Sequence, residues 1–558
     1  MERIWQKSYD PKVPFSIEFP EICMPQVLER NAKDFPDNLA VEFLGTELTY
    51  RQLWDGVLRL ANGLKGIGVA RGTKIAIMLP NSPQCVIAYY AALWLGATVI
   101  MTNPLYVERE LIHQWTDSEA EVLFSLDHLY PKVKEVLPKT AIRASIFTSI
   151  KDFLPFPLSC LYPVKARFQK LFLAVPYDGI RLLSFKKMIA DSRPDSIDCA
   201  ARPEDLALLQ YTGGTTGTPK GAMLTHRNIL SNVMQLLSWL PDLGRGAERF
   251  LAVLPFFHVL GMTVALNLSI YTHSAVIIAP RFNPDDLIKM IKKKKPTVFP
   301  GVPAIYIALL AHPKVDSFDL TSIRVCVTGA APMPVDLLRK FESKTGSRIV
   351  EGYGLSEASP VTHANPIEGT RKPGSVGIAL PSTDCRIVDP QTGATDMPTG
   401  EVGELIVRGP QVMAGYWKRE RETAEAIRDG WLYTGDLATM DSEGYVFIVD
   451  RKKDLVISGG YNVYPREIEE VLYEHPKVLD AAAIGVPHAQ KGEAVKVYVV
   501  AKQGQSLDRD EILAWCKEKL AAYKVPKEVE ITEALPKTIV GKVLRRELRS
   551  GAASKPRE

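Results

Sequence analysis

An α/β fold is the expectation here, and three features of the sequence predict it. Short apolar runs of strand length alternate with helical stretches over roughly the first two-thirds of the chain. After about residue 380 the texture changes to short strand-like runs between Gly, Pro and Asp turns. Beyond Asp450-Arg451-Lys452-Lys453 the chain becomes compact α+β. Alternating strands and helices build mostly parallel sheets, and closely spaced short strands build a β-rich unit. The expected architecture is a large multi-lobed N-terminal domain over 1–450, with two α/β sheets and a β-rich lobe at about 380–450, followed by a small α+β C-terminal domain over 451–558.

Taken in order, 74–79 (KIAIML) reads as a short buried strand. Ser82 then stands where it can cap a helix that has Pro83 at its first position. That helix should run to about Leu95, end at Gly96 and lead into a strand at 97–101. The apolar run 86–101 is too short for a membrane span and is read as a buried helix feeding a buried strand. Strands are expected at 250–254, 275–278, 297–300 and 323–328, with helices at 284–293 and 334–345. In the β-rich lobe, strands fall at 385–388, 403–408 and 445–449. In the last domain 465–474 and 509–520 read as helices, 481–486 and 494–500 as strands, and the final residues GAASKPRE as disordered.

Composition narrows the classes of function. Lys and Arg number 68 against 64 Asp and Glu, a net charge of +4, which makes no case for nucleic-acid binding. The seven cysteines are scattered and form no CxxC pair, so neither a zinc site nor a thioredoxin-type motif is indicated. Their odd number, together with an N-terminus without an apolar signal region, points to a reducing, cytoplasmic setting.

The most informative segment is YTGGTTGTPKG at 211–221. Its glycines let backbone amides turn toward an anion, its threonines add hydroxyl donors, and Lys220 adds charge. The composition grips phosphate. Residue 218 is Thr where a Walker A loop needs Gly, so this is not an ordinary P-loop. Further along come PFFHVLG at 255–261, GAAP at 329–332, EGYGLSE at 351–357, YTGD at 433–436, DRKKD at 450–454, SGGY at 458–461 and PKTIVGK at 536–542.

In this order these segments resemble the signatures of the adenylate-forming superfamily, which includes acyl-CoA synthetases, firefly-type luciferases and the adenylation domains of peptide synthetases. The resemblance runs from about residue 25 to 548. It implies a two-step ATP-dependent ligase that activates an acid as acyl-AMP and passes the acyl group to coenzyme A. It also implies a mobile C-terminal domain.

By that resemblance, ATP and AMP are held by Thr212, Gly213, Gly214, Thr215, Thr216, Gly217 and Lys220, by Gly329, Ala330 and Ala331 along the edge of the base, and by Glu351, Gly352, Tyr353, Gly354, Leu355 and Ser356, with Tyr353 stacked on adenine. The family usually has Thr before the glutamate; Ser356 keeps the hydroxyl. Asp436 would accept the ribose hydroxyls, with Ile448 and Arg451 beside it. Glu357 and Thr212 would hold Mg²⁺, an ion that takes one or two carboxylates plus phosphate oxygens. Lys542 would neutralise the carboxylate and the α-phosphate as charge builds between them. His258 would position the acid near the CoA route, with Val302, Gly352 and Gly354 lining the acyl site. Ser458, Gly459, Gly460 and Tyr461 would approach the pantetheine arm. Lys453 sits at the hinge, where one residue can absorb the rotation that exchanges Lys542 for the 458–461 loop.

The N-terminal stretches MLPNSPQ, TNPLY and SIKDFLPFP look most like bacterial long-chain fatty acid–CoA ligases. An aryl-CoA ligase of the 4-coumarate or benzoate type shares every motif and stands as the alternative; a catalytically inactive nucleotide-binding regulator stands as the alternative of another class. A peptide-synthetase unit is disfavoured because no carrier domain follows Lys542. Residues 161–188 mix six Lys and Arg with aromatics and one acid, Asp178. Such a segment suits peripheral contact with an anionic membrane, at the inner face, or equally a solvated insertion. The expected partners are the fatty acid, ATP and CoA, with a homodimer left open.

Overall fold

The computed structural model describes residues 3–168, 174–212, 219–331, 333, 335–458, 461–488, 492–538 and 541–554. Its organisation follows from the run at 86–101. Ser82 Oγ accepts the Cys85 N–H, Pro83 opens the helix Pro83–Trp94, and every residue of that helix is buried. Gly96, at φ 67, turns the chain. The strand Thr98–Met101 then lies parallel to Lys74–Met78. A helix buried on all sides must be covered on all sides, and this one packs against the helices Met24–Asp34 and Tyr50–Gly66 and the strands Lys74–Met78 and Thr98–Met101.

One sheet runs Leu182–Ser184, Ala144–Thr148, Val122–Leu126, Lys74–Met78, Thr98–Met101, Leu206–Thr212, Lys220–Thr225. It is parallel except for its last pair, the hairpin that brackets the phosphate-gripping segment. The other large sheet has nine strands. Its middle is parallel, in the order Leu39–Phe43, Ala275–Ile278, Arg249–Ala252, Val298–Gly301, Val325–Thr328, Arg348–Gly354. Its two ends are antiparallel. The helices Met24–Asp34, Tyr50–Gly66, Pro83–Trp94 and His226–Trp239 contribute to one continuous core with both sheets.

The β-rich lobe is a five-stranded antiparallel sheet in which Trp431–Met440 pairs with Gly403–Arg408 and with Val446–Arg451. The last sheet is built from Val456–Ser458, Tyr461–Val463, Val478–His488, Gly492–Ala501 and Glu528–Ile531. It packs with the helices Pro465–Tyr473 and Arg509–Lys519 around a core of its own, which includes Val456, Ile468, Leu472, Val497 and Ile512.

Most element expectations agree with the structure to within a few residues. One does not: the helix Arg545–Ser554 continues through 551–554, where disorder was expected. Arg545, at its start, bonds Glu469 at 2.7 and 2.8 Å, and Leu548 is buried in a small apolar cluster, so packing carries a weak helix former through Gly551. The helix Pro284–Lys294 ends in cations, and Lys295, at φ 47, caps it. No helix among the described residues is long and apolar enough to cross a membrane.

Candidate active site

Three layers of local structure build the site. The first is the hairpin after Leu206–Thr212, where Thr212 lies opposite Lys220. Gly213, Gly214, Thr215, Thr216 and Gly217 lie outside the described residues. The segment around Gly415 runs along the second hairpin strand and is bound to it by Met223 N–H to Gly415 O (2.9 Å), Ala414 N–H to Met223 O (2.9 Å) and Trp417 N–H to Gly221 O (2.8 Å). The same segment grips Glu357. Met413 N–H donates to the Glu357 carbonyl at 2.8 Å, and Tyr416 Oη donates to Glu357 Oε1 at 2.8 Å. Lys220 Nζ lies 5.2 Å from the Tyr416 ring centroid and 3.9 Å from Glu422. Asp117 fastens the assembly from behind, accepting from Tyr211 Oη at 2.7 Å and Arg419 Nη2 at 2.6 Å.

Nothing in the motifs marked Tyr416, Asp117 or Arg419 as belonging to this site. Their place here comes from contacts between distant parts of the chain, which a linear pattern does not carry.

Among the described residues, no cluster of three or more His, Cys, Asp or Glu could hold a metal. The Glu357 carboxylate and the Thr212 hydroxyl are hard oxygen donors, and only Oε1 of Glu357 carries a hydrogen bond among the described residues. Such a sparse oxygen set fits Mg²⁺, which completes its shell with phosphate oxygens and water.

The second layer is a cavity lined by His258, Val259, Leu260, Val327, Thr328, Gly329, Ala330, Gly352, Tyr353, Gly354, Leu355, Ser356, Pro360 and Val361. It collects most of the residues expected to meet the base and the acyl group. Val302 is not in its lining; it is buried at the start of the helix Pro303–Leu310. Two glycines are dictated by close backbone approach. A Cβ on Gly354 would fall 2.0 Å from Pro360 O, and one on Gly261 would fall 2.3 Å from Pro255 O. Ala330 holds a left-handed φ of 67 without being glycine, a strained geometry of the kind that gathers at functional loops.

Glu351 lies beneath that loop and accepts the Met333 N–H at 3.2 Å. Burial pushes its carboxyl up to about 7. His258 follows a stretch clamped by buried Asn81, which donates to Ala252 O and Leu254 O and accepts the Phe256 N–H at 2.7 Å. Burial, and secondarily Lys542, pulls its imidazole down to about 4, so it is neutral at physiological pH.

The third layer is the end expected to meet the ribose. Strand pairing sets Asp436 opposite Arg451, with Arg451 Nε 3.3 Å from Asp436 Oδ1. Tyr353 Oη donates to Asp436 Oδ2 at 2.6 Å, which joins this end to the cavity. A second cavity of ≈ 250 Å³ is lined by Thr434, Gly435, Asp436, Arg451, Lys452 and Lys453. Ile448 holds the next domain through its carbonyl, which accepts from Arg466 Nη1 at 2.8 Å.

Lys542 reaches this place from the far end of the chain. It sits on a tight loop in which Thr538 N–H bonds Lys542 O (2.8 Å) and Lys542 N–H bonds Thr538 Oγ1 (3.1 Å). A Cβ on Gly541 would lie 3.6 Å from Ala304, so the loop rests against the N-terminal body. Burial, then the cations Arg451 and Lys453 against the pull of Asp436, brings the Lys542 ammonium down to about 8.

Lys453 is an exposed turn residue between two anchored carboxylates. Asp450 accepts the Arg466 N–H at 2.8 Å, and buried Asp454 pairs with Arg545 at 3.4 Å and Arg549 at 3.0 Å. Ser458 is buried, while Tyr461 is exposed and stacks on Tyr523 at 4.7 Å. Gly459 and Gly460 lie outside the described residues.

Comparison with known proteins adds relatives. Residues 28–417 match the family described as AMP-binding enzyme, and residues 467–542 match the AMP-binding enzyme C-terminal domain. The chain is 46% identical over 550 residues to a long-chain-fatty-acid–CoA ligase of Bacillus subtilis, covering 98% of each. It is 38% identical over 521 residues to a feruloyl-CoA synthase of Amycolatopsis, covering 93% of this chain and 97% of that one. Its fold matches that of O-succinylbenzoate coenzyme A synthetase of Bacillus subtilis, solved with ATP and a magnesium ion, at a TM-score of 0.79 and 27% identity over 94% of this chain and 98% of that one.

Proposed function

The chain belongs to the family of AMP-binding enzymes, and from that premise we propose that it is a long-chain fatty acid–CoA ligase. It is an AMP-forming acid–thiol ligase with ATP and CoA as substrates. The acid and ATP give acyl-AMP and pyrophosphate; the CoA thiol then displaces AMP to give acyl-CoA. The placement of the Lys542 loop against the N-terminal body, with Lys542 within electrostatic reach of Asp436, Arg451 and His258, supports this reading.

In the first step an acid oxygen approaches the α-phosphorus, and two anions crowd together. A charged Lys542 between them lowers that cost, because a fixed cation in a water-poor site needs no reorganisation. Asp436 holds the ribose, Tyr353 the base, and neutral His258 orients the acid without adding charge. Thr212 and Glu357 would hold Mg²⁺, which supplies charge neutralisation on the phosphates when bound. The division at 450, with a mobile domain over 451–558, belongs to the same proposal. It is supported by the separate core of the last sheet and by the exposed Lys453 turn.

Work in the cytoplasm, in peripheral contact with the inner face of a membrane, is also proposed. Its support is the exposed apolar helix near residue 160.

An aryl-CoA ligase is the second reading, favoured by the similarity to feruloyl-CoA synthase. Pyrophosphate release should be measured with ATP and acids of graded chain length, plus ferulate as the aromatic competitor. Strong release with long aliphatic acids is the expected result. Preference for ferulate would replace the fatty acid, and no acid-dependent release would remove the ligase reading.

A further inference from the structure

The helix Glu108–Asp117 belongs to none of the motifs, yet its side chains hold both strands of the phosphate-gripping hairpin. The helix is itself fixed from behind. Leu111 and Trp115 are buried, Gln114 Nε2 donates to Met101 O at 3.3 Å, and Trp115 Nε1 donates to Thr102 Oγ1 at 3.2 Å. Those bonds tie it to the carboxyl end of the strand Thr98–Met101, the parallel neighbour of Leu206–Thr212.

His113 and Asp117 stand one turn apart on this helix and so share a face. His113 Nε2 lies 3.1 Å from the carbonyl oxygen of Pro219. A carbonyl only accepts, so Nε2 carries the proton. Asp117 takes the other strand: Tyr211 Oη donates to its carboxylate at 2.7 Å. The His113 ring also stands edge-on to the Tyr211 ring, at 6.4 Å and 89°. One helix face therefore holds the residue before Thr212 and the residue before Lys220.

The end of the helix also reaches the segment that restrains Glu357. The Asp117 carboxylate accepts from Arg419 Nη2 at 2.6 Å, and the Asp117 carbonyl accepts from Trp417 Nε1 at 3.0 Å. Tyr416, next in the chain, donates to Glu357. Lys220 on one side and Glu357 on the other carry the charges suited to a phosphate and to a phosphate-bound cation. A glycine-rich segment loses more conformational freedom than most when it closes on an anion, and fixed ends reduce that loss. Tyr353 and Asp436, expected to meet the base and the ribose, are carried by the other strands Arg348–Gly354 and Trp431–Met440.

We propose that His113 and Asp117 are positioning residues, which set the spacing between Lys220 and Glu357 and thereby the affinity for the terminal phosphates of ATP. This role rests on the reading of 211–221 as a grip on ATP, and it falls to a helix outside every signature segment.

The test is calorimetric titration of the full chain, without acid, with ATP in the presence of Mg²⁺ and separately with AMP. His113→Phe keeps the ring bulk but removes the donor. It should weaken ATP binding roughly five- to tenfold, the loss of one hydrogen bond, and leave AMP binding and the melting temperature near those of the parent. His113→Gln, which keeps a donor of similar reach, should restore most of that loss. Asp117→Asn keeps an acceptor for Tyr211 but loses the charge facing Arg419; it should act in the same direction, and it decides the matter if His113→Phe fails to fold. In steady-state assays of both variants, KM for ATP should rise while kcat changes little. Three results would overturn the proposal: parental ATP affinity in both variants, equal weakening of ATP and AMP, or no recovery with glutamine. Pyrophosphate release by the parent is measured alongside. Its absence with every acid would remove the ligase reading, while the contrast between ATP and AMP still decides the role of His113 and Asp117.

Discussion

At the scale of single residues, the site depends on charges whose positions are enforced by neighbours. Lys542 is the clearest case. Its ammonium, brought down to about 8 mainly by burial, carries charge below that pH and loses it above. In the free enzyme kcat/KM for acyl-AMP formation should therefore fall as pH rises through about 8, well before ordinary lysines titrate. Lys542→Ala should lower acyl-AMP formation by ~10²–10³-fold and abolish that high-pH limb. Thioester formation from supplied acyl-AMP should stay near the parent rate. Normal adenylation by this variant would show that another group neutralises the anions.

Tyr416 acts through Glu357. Its hydroxyl restrains one carboxylate oxygen, and its backbone is tied to the strand that follows the phosphate-gripping segment. Tyr416→Phe should weaken the Mg²⁺ dependence of ATP binding, read by calorimetry, by about tenfold, with KM for ATP rising more than kcat falls. An unchanged Mg²⁺ titration would mean that Tyr416 serves packing alone.

At the scale of elements, the decisive piece is the short turn after Val446–Arg451. Asp450 is fastened to the backbone of Arg466, and Asp454 to Arg545 and Arg549, so Lys453 is a free turn residue between two fixed points. We propose that rotation concentrated there, with release of the Asp450–Arg466 and Ile448–Arg466 bonds, moves the last sheet as a unit. Lys453→Pro, which locks φ near −65°, should spare acyl-AMP formation more than thioester formation. The second step should fall by ~10-fold or more, as rapid-quench measurement of each half-reaction would show. Equal losses in both half-reactions would place the hinge elsewhere. The π-helix Gly261–Asn267 is a second unusual element. It follows the Gly261 contact with Pro255 O and keeps His258 at the cavity wall, as wide helical turns often do near sites.

At the scale of the whole molecule, the site lies where three lobes and the C-terminal sheet meet. The parallel sheets deliver the hairpin and the glycine-rich strand end, the β-rich lobe delivers Asp436 and Arg451, and the last loop delivers Lys542. In this arrangement the Lys542 loop lies against Ala304 of the N-terminal body while Tyr461 is exposed.

The sequence by itself determined the periodic elements and the order of the glycine-rich and charged signatures, because strand, helix and turn preferences are local. Pro83, Gly96 and the 86–101 run were legible for that reason, and the motifs that carry Asp436, Glu357 and Lys542 were legible as segments. Only the tertiary structure decided that Tyr416 touches Glu357, that Asp117 braces the hairpin, that Val302 lies outside the cavity lining, and that the helix Arg545–Ser554 persists through its glycine. Those outcomes depend on contacts between residues tens to hundreds of positions apart. Side-chain packing and burial create such contacts, and no local pattern encodes them.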